Sequence, residues 1–97
     1  MTIRWTAEAR ENVDRLVDFV AACDPVRATE IEQELSEAPR RLLRFPRRGS
    51  RLSEFEMSEV REFRIENYLL RYELRGSDIF VLRFFHSREN RFWDPLE

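Results

Sequence analysis

Residues 60–85 read VREFRIENYLLRYELRGSDIFVLRFF, and this stretch decides the fold. It contains three runs of strand length, residues 60–66, 68–74 and 79–85, each rich in aromatic, β-branched or aliphatic side chains. Between the last two runs lies Arg75-Gly76-Ser77-Asp78, and Gly followed by a small polar residue is typical of a two-residue hairpin turn. The segment therefore predicts a three-stranded antiparallel meander.

The predicted turn also sets the register of the last two strands, because alternate residues of a strand point to opposite faces. One face of this pair is expected to pack on helices. The other is expected to be a half-apolar groove that a partner covers, since so much exposed apolar area would be an association hazard. The predicted helix-facing residues are Leu74, Tyr72, Leu70, Tyr68, Ile79, Val81, Arg83 and Phe85, and the predicted groove residues are Leu69, Arg71, Glu73, Phe80, Leu82 and Phe84.

Two helices are predicted upstream of the meander. Residues 7–22 carry one apolar stripe at helical spacing, and Thr6 before them is a suitable N-cap. A second stripe covers residues 25–44 and begins with proline at the first helical position. Pro39 is expected to kink or restart this second helix.

A short strand is predicted before the first helix, because Ile3 and Trp5 alternate with polar residues. Trp5 is expected to lie in the core. The full prediction is an α+β domain with a short N-terminal strand, a helical hairpin and a three-stranded antiparallel meander.

Length and composition limit the class of protein. Ninety-seven residues allow one domain, residues 1–97, and 42% hydrophobic residues exclude a disordered chain. The single cysteine, Cys23, makes no disulfide or zinc motif and is expected to be buried, and no cofactor or metal is predicted. Without a signal peptide or a long apolar run, the cytoplasm is the expected compartment and no membrane partner is expected.

The charge is unevenly distributed. The chain has 17 basic and 19 acidic residues, and every basic residue is arginine. The formal net charge of −2 excludes a protein that holds nucleic acid by bulk positive charge, and no sequence-specific DNA binding by the chain alone is expected. Residues 40–53, which we call the arginine island, contain six arginines and no acid. Such a run suits an acidic or phosphate-bearing partner, although charge runs are more often solvated faces paired with nearby acids.

The order of these elements, together with particular residues, resembles the ParE branch of the RelE/ParE superfamily of toxins from bacterial toxin–antitoxin systems. The resemblance covers nearly the whole chain, and each motif is weak singly. The motifs that carry it are Trp5, Asp24-Pro25, Leu43-Arg44-Phe45-Pro46-Arg47-Arg48-Gly49, Val60-Arg61-Glu62-Phe63, Tyr68-Leu69-Leu70-Arg71-Tyr72, His86-Ser87-Arg88 and Trp93.

The resemblance implies one of two activities. ParE-like members poison DNA gyrase by binding, with no recognised catalytic residues, whereas RelE-like and YoeB-like members cut messenger RNA on the ribosome. RNA cleavage needs a proton acceptor, a proton donor and cations that hold the phosphate. The candidates for that chemistry are His86, Arg61, Arg83 and Arg88, with Glu54, Glu56 or Glu59 as a base.

Three departures from the cleaving relatives favour the ParE-like activity. Leu69 stands where the cleaving relatives have an arginine, and an uncharged side chain cannot hold a phosphate. Ser87 follows His86 where YoeB-like relatives have a terminal tyrosine, and the chain has none of the lysines on which RelE-like relatives depend. The expected function is therefore a gyrase-binding toxin neutralised by a cognate ParD-like or RelB-like antitoxin. A ribosome-dependent endoribonuclease and an antitoxin-binding module without toxicity remain alternatives.

The antitoxin is expected to fold over the helical hairpin and the groove, with acidic residues that match the arginine island. Simpler interpretations stand beside these: Arg61 is expected to pair with an acid such as Glu62 or Glu73, and His86 to end its strand through hydrogen bonds. The predicted partner-binding residues are Arg40, Arg44, Arg47, Arg48, Arg51, Arg61, Leu69, Arg71, Arg88, Phe92 and Trp93.

Overall fold

A five-stranded sheet with two helices forms the fold, and the computed structural model describes residues 1–89. The strand order is β1-β5-β4-β3-β2; β1 runs parallel to β5, and all other neighbours are antiparallel. The predicted α+β class and the meander β3-β4-β5 are confirmed. The elements are β1 (Thr2–Trp5), α1 (Ala7–Ala21), α2 (Pro25–Arg41), β2 (Ser50–Arg51), β3 (Glu59–Ile65), β4 (Tyr68–Arg75) and β5 (Asp78–His86).

Thr6 joins β1 to α1 and also contacts β5. Its amide donates to the Val81 carbonyl at 3.1 Å, and its hydroxyl shares a proton between the Val81 and Leu82 carbonyls at 2.8 and 3.1 Å. The same hydroxyl oxygen accepts from the Ala9 amide at 3.1 Å, as an N-cap does. Beyond the end of β1, a side chain of α1 pairs with the backbone of β5: Asn12 Oδ1 accepts from the Phe84 amide at 3.0 Å. The side chains of Thr6 and Asn12 thus make hydrogen bonds to β5 backbone groups at and beyond the end of β1.

A β-bulge in β5 changes the predicted register. Tyr72 pairs with Val81, but Arg71 pairs with Arg83, so Leu82 is an extra residue without a partner on β4. An extra residue in one strand reverses the faces of every residue beyond it. The prediction that Arg83 and Phe85 face the helices and that Phe84 lines the groove is therefore wrong. The residues between the turn and the bulge lie as predicted.

The bulge turns Phe84 into the core. Phe84 is fully buried and stacks on Trp5, with ring centroids 5.4 Å apart. Trp5 is partly buried and packs against the core, as expected. Phe85 is also buried, but it pairs with Leu69 on the opposite face of the sheet. The core between the helices and the sheet contains Ala9, Val13, Leu16, Ile31, Leu35, Ala38, Leu42, Phe63, Ile65, Tyr68, Leu70, Tyr72, Ile79, Val81 and Phe84.

The second helix is shorter at its C-terminus than predicted. It ends at Arg41 rather than at residue 44, with Leu42 as its cap, and it continues through Pro39. Pro39 lies in the last turn, so its missing amide removes the hydrogen bond to the Leu35 carbonyl, but little helix remains beyond it to be interrupted. No helix among residues 1–89 has the length and apolar character needed to cross a bilayer. Cys23, expected to be buried, is exposed at the corner between the helices.

The turn between β3 and β4 uses a left-handed residue that is not glycine. Glu66 has φ of 54°, a conformation that costs an ordinary L-residue about 1 kcal/mol. Its carboxylate accepts from Arg27 Nη2 of α2 at 2.8 Å. The Asn67 carbonyl accepts from the Ser87 amide at 2.8 Å. These two contacts connect the turn to the helical layer and to the end of β5.

Thr6→Val removes the cap of α1 and the hydroxyl that holds the bulge. We expect the free energy of unfolding to fall by about 1–2 kcal/mol, because the Ala9 amide and the Leu82 carbonyl both lose their Thr6 partner, while the Val81 carbonyl keeps the Thr6 amide. Urea denaturation measures the change. Thr29→Val is the matched control, since Thr29 is exposed on α2, and it should stay within about 0.5 kcal/mol of the parent protein. Equal losses in both variants would contradict this role for Thr6.

Candidate partner-binding surfaces

The loop of the arginine island is attached to the sheet by Tyr72. This tyrosine is fully buried on β4, its hydroxyl donates to the Pro46 carbonyl at 2.7 Å and it accepts from the Gly49 amide at 3.0 Å. Burial raises the pKa of Tyr72, so the phenol stays protonated and able to donate. From the other side, Arg61 Nη1 donates to the Gly49 carbonyl at 2.7 Å and to the Arg47 carbonyl at 3.3 Å. The loop backbone is therefore held at Pro46, Arg47 and Gly49.

Glycine is required at position 49 by this close approach. A Cβ atom there would lie 2.6 Å from the Glu62 carbonyl oxygen and 2.8 Å from the Tyr72 hydroxyl. No real Cβ comes so close to a backbone oxygen, so a side chain at this position would push the loop off the sheet. The next residues form β2, which pairs Ser50 with Glu62 and Arg51 with Arg61. This short strand is not predicted by the sequence pattern.

Glu59 holds the two arginines that support the loop. Its carboxylate accepts from Arg47 Nε at 2.8 Å, Arg47 Nη2 at 3.0 Å and Arg61 Nε at 2.9 Å. The two bonds from Arg47 lower the pKa of Glu59, and the bond from Arg61 adds to this against the opposing effect of burial. Arg61 is thus a paired structural side chain, as expected, but its partner is Glu59 rather than Glu62 or Glu73. Residues two apart on a strand share a face, which explains the pairing.

The remaining arginines of the island are exposed. Within residues 1–89, none of Arg40, Arg41, Arg44, Arg48 and Arg51 lies within 4 Å of a carboxylate. The loop forms an open concavity with a volume of about 690 Å³, which we call the arginine concavity. It is lined by Arg44, Phe45, Pro46, Arg47 and Arg48.

An ion pair lies on the sheet face that points away from the helices. Arg71 is 8% exposed, and its Nη2 and Nε donate to Glu62 Oε2 at 2.6 and 3.0 Å. The Arg71 guanidinium also lies 5.4 Å from the Phe85 ring and 5.8 Å from the Phe55 ring. Phe55 comes from the segment between β2 and β3, so this segment partly covers the predicted groove. Arg71 is therefore engaged inside the protein.

Leu69 and Arg83 are near that pair: Leu69 is two residues from Arg71 on β4, and Arg83 is opposite Arg71 on β5. Leu69 is half-buried and borders a second, smaller concave surface of about 340 Å³ beside β2 and β3. The Arg83 guanidinium lies 5.5 Å from the Phe85 ring, and its Nε is 3.2 Å from Glu8 Oε1. The angle of that approach is poor, and among the described residues Arg83 Nε has no hydrogen bond. The Glu8 contact is therefore an ion pair without a hydrogen bond.

His86 ends β5 through local hydrogen bonds, as the simpler interpretation expects. Its Nδ1 accepts from the Arg88 amide at 3.1 Å, and its ring packs edge-on against Tyr68 at 5.3 Å. The His86 amide donates to Glu89 Oε2 at 2.9 Å, and Arg15 Nη1 donates to Glu89 Oε1 at 2.6 Å. Burial raises the pKa of Glu89, but these two donors outweigh it, and the net pKa is lowered. Arg88 itself is exposed.

The structure does not bring the four nuclease candidates together. His86 aligns with Tyr68 and hence with Ile65, whereas Arg61 lies four residues back along β3, roughly 13 Å at the rise of a strand. Arg83 and His86 are three residues apart on β5 and contact different residues. Arg83 lies over the Phe85 ring, whereas His86 accepts from the Arg88 amide. Among residues 1–89, no group of three or more His, Cys, Asp or Glu side chains could hold a metal ion. Phe92 and Trp93 lie outside the described residues.

Several functional side chains escaped sequence reasoning. Tyr72 and Glu59 organise the arginine island, yet the sequence presents Tyr72 as an ordinary strand residue and Glu59 only as a candidate base. Only the pairing of β3 with β4 and β2 reveals their partners. Two large apolar residues at the helix corner, Phe19 and Val26, are 80% and 74% exposed. Their position off the apolar stripes of α1 and α2 could have indicated this.

Comparison with known proteins identifies a matching family and similar solved structures. A family model described as the ParE toxin of the type II toxin–antitoxin system, parDE, matches residues 3–91. A chain of the chromosomal ParDE toxin–antitoxin system from P. aeruginosa has a similar structure, with a TM-score of 0.75 and 24% sequence identity. The match covers 89% of this chain and 95% of that chain, and at this identity it concerns the fold. A search of curated protein sequences gives no significant match.

Tyr72→Phe removes only the hydroxyl that holds the loop. We expect a loss of about 1–3 kcal/mol in the free energy of unfolding, because the buried Gly49 amide and the Pro46 carbonyl both lose their partner. Tyr68→Phe is the matched control on the same strand, since the Tyr68 hydroxyl makes no hydrogen bond among the described residues. Urea denaturation of both variants makes the comparison. A Tyr72→Phe variant as stable as Tyr68→Phe would rule out the attachment.

Glu59→Gln tests the ionic support of the loop by its pH dependence. The pKa of Glu59 is lowered in the folded protein from its ordinary value of 4.5, so the carboxylate stabilises the fold above that pH. This contribution is lost as the pH falls through the folded pKa. We expect Glu59→Gln to cost about 1 kcal/mol at pH 7, with the difference from the parent protein shrinking below about pH 4.5.

Chemical denaturation from pH 7 down to pH 3 measures that difference. Glu56→Gln serves as the control, because Glu56 is exposed and has no ion-pair partner among the described residues. A stability difference for Glu59→Gln that stays constant with pH would show that the charge of Glu59 does not matter.

Proposed function

The chain belongs to the ParE toxin family of type II toxin–antitoxin systems, and from this premise we propose that it is a toxin that poisons DNA gyrase by binding. The family match confirms the ParE branch predicted from the sequence. The proposal includes neutralisation by a cognate antitoxin and action in the cytoplasm, where DNA gyrase works.

The observation that carries a binding function is the engagement of the candidate nuclease residues. Arg61 donates to Glu59 and to two loop carbonyls, and His86 Nδ1 accepts from the Arg88 amide. A general acid or base must be within hydrogen-bond reach of the proton it moves, with a cation beside it. Here His86 of β5 lies level with the end of β3, whereas Arg61 lies near the start of β3. This separation supports binding over RNA cleavage.

The surfaces offered for binding lie at separate places on the fold. Phe19 and Val26 expose apolar area at the corner of the helical hairpin, where an amphipathic helix of an antitoxin would bury it. Leu69 lies on the opposite side of the sheet beside a concave surface. We propose that an extended antitoxin segment covers both the hairpin and that sheet face. Arg71 contributes through its ion pair with Glu62 rather than by direct contact.

A gyrase assay and a translation assay on one preparation test the proposal. Purified protein is added to gyrase supercoiling and DNA-cleavage reactions, and in parallel to a translating extract in which mRNA breaks are mapped. We expect supercoiling to be inhibited, cleaved DNA complexes to accumulate, and the cognate antitoxin to reverse both effects. The mRNA should stay intact.

His86→Ala separates the two activities. A binding toxin should retain gyrase inhibition in this variant, because His86 only ends a strand. A preparation that binds antitoxin yet leaves gyrase unaffected at several-fold molar excess would refute the proposal. Breaks in mRNA that disappear in His86→Ala would establish the endoribonuclease instead.

A further inference from the structure

The arginine concavity has positive charge that the described part of the protein does not neutralise. Of the six arginines in the island, only Arg47 has a carboxylate partner, Glu59, among residues 1–89. Arg44 and Arg48 line the concavity as exposed side chains, while Arg40 and Arg41 flank it from the end of α2. A charge density of this kind in one small region calls for a polyanionic ligand.

The concavity is held in shape before any ligand binds. The Tyr72 hydroxyl and the Arg61 guanidinium together bond the backbone at Pro46, Arg47 and Gly49. The Arg48 amide donates to the Phe45 carbonyl at 3.0 Å, which closes a turn between them. Binding would therefore cost little ordering of the loop.

An exposed aromatic ring lies among the arginines. Phe45 is 59% exposed, and the Arg44 guanidinium lies 5.7 Å from its ring centroid. On the other wall, the Arg48 guanidinium lies 5.1 Å from the Phe63 ring, which holds that side chain toward the sheet. A basic groove with an accessible aromatic ring matches the way proteins hold single-stranded nucleic acid, with phosphates on the cations and a base stacked on the ring.

We propose that the arginine concavity binds single-stranded DNA without sequence preference, with phosphates on Arg44 and Arg48 and a base on Phe45. An acidic peptide would satisfy the arginines but has no flat π-face for Phe45, and a duplex keeps its bases stacked inside. The inference rests on the proposed function in one respect only. A gyrase that has opened its DNA is where the toxin would meet single-stranded DNA.

Fluorescence anisotropy of labelled (dT)20 with the purified protein tests the charge requirement. Arg44→Gln/Arg48→Gln should weaken binding at 150 mM salt by about 10-fold and should reduce the slope of log affinity against log salt by about 1.4. The matched control, Arg4→Gln/Arg10→Gln, removes two exposed arginines near β1 and α1 and should bind (dT)20 within about 2-fold of the parent protein. Equal weakening in the two double variants would overturn the proposal, since bulk charge alone would then account for binding.

The aromatic requirement needs a second pair of variants. Phe45→Leu keeps an apolar side chain but loses the ring and should weaken (dT)20 binding at least about 5-fold, whereas Phe45→Trp should keep it. The proposal is overturned if the parent protein fails to bind (dT)20 at 50 mM salt, if a 20-base-pair duplex binds as tightly, or if Phe45→Leu has no effect. Tighter binding of a polyglutamate peptide than of (dT)20 would assign the concavity to an acidic protein segment instead.

The two proposals can fail separately. The anisotropy measurement contains no gyrase, so absent DNA binding would leave gyrase inhibition by the parent protein untouched. Conversely, a protein that binds (dT)20 but does not inhibit gyrase would retain the arginine concavity and lose the proposed target.

Discussion

The contact between the Thr6 hydroxyl and the carbonyls of Val81 and Leu82 is the constraint on which the arrangement of the sheet depends. It lies where the parallel edge strand β1 gives way to α1, and it stabilises the strand that carries an extra residue. Without the bulge at Leu82, Phe85 would point at the helices and Phe84 away from them. Because the bulge puts Phe84 against Trp5, it decides which aromatic ring completes the core.

The same bulge determines the chemistry of the opposite face. Phe85 comes to lie between the guanidinium groups of Arg71 and Arg83, and Arg71 is directly opposite Arg83 across the strands. Two like charges facing each other are unfavourable unless each finds a counter-charge. Glu62 supplies one for Arg71 and Glu8 another for Arg83. A face that looks half-apolar in the sequence is thus largely an internal network of arginines, carboxylates and rings.

The arginine island is divided in the same way into structural and free charges. Arg47 and Arg61 share Glu59 and hold the loop, whereas the exposed arginines at the end of α2 and along the loop have no such partner among residues 1–89. The C-terminus of α2 itself favours cations, which accounts for Arg40 and Arg41 without any ligand. Apart from their contacts with the Phe45 and Phe63 rings, Arg44 and Arg48 have no comparable structural role among residues 1–89. This difference gives the concavity its functional interest.

The amino-acid sequence by itself determined the order of the elements other than β2, both helix starts and the β4-β5 turn, because apolar periodicity, N-caps and Gly76 act locally. It also determined the family, and it indicated that Arg61 and His86 have structural roles. Only the tertiary structure decided the register beyond Leu82, the pairing of Glu59 with two arginines and the attachment of the loop to Tyr72. Each of these joins residues distant in the chain, and a bulge reverses the faces of a strand without leaving a mark in its pattern of apolar residues.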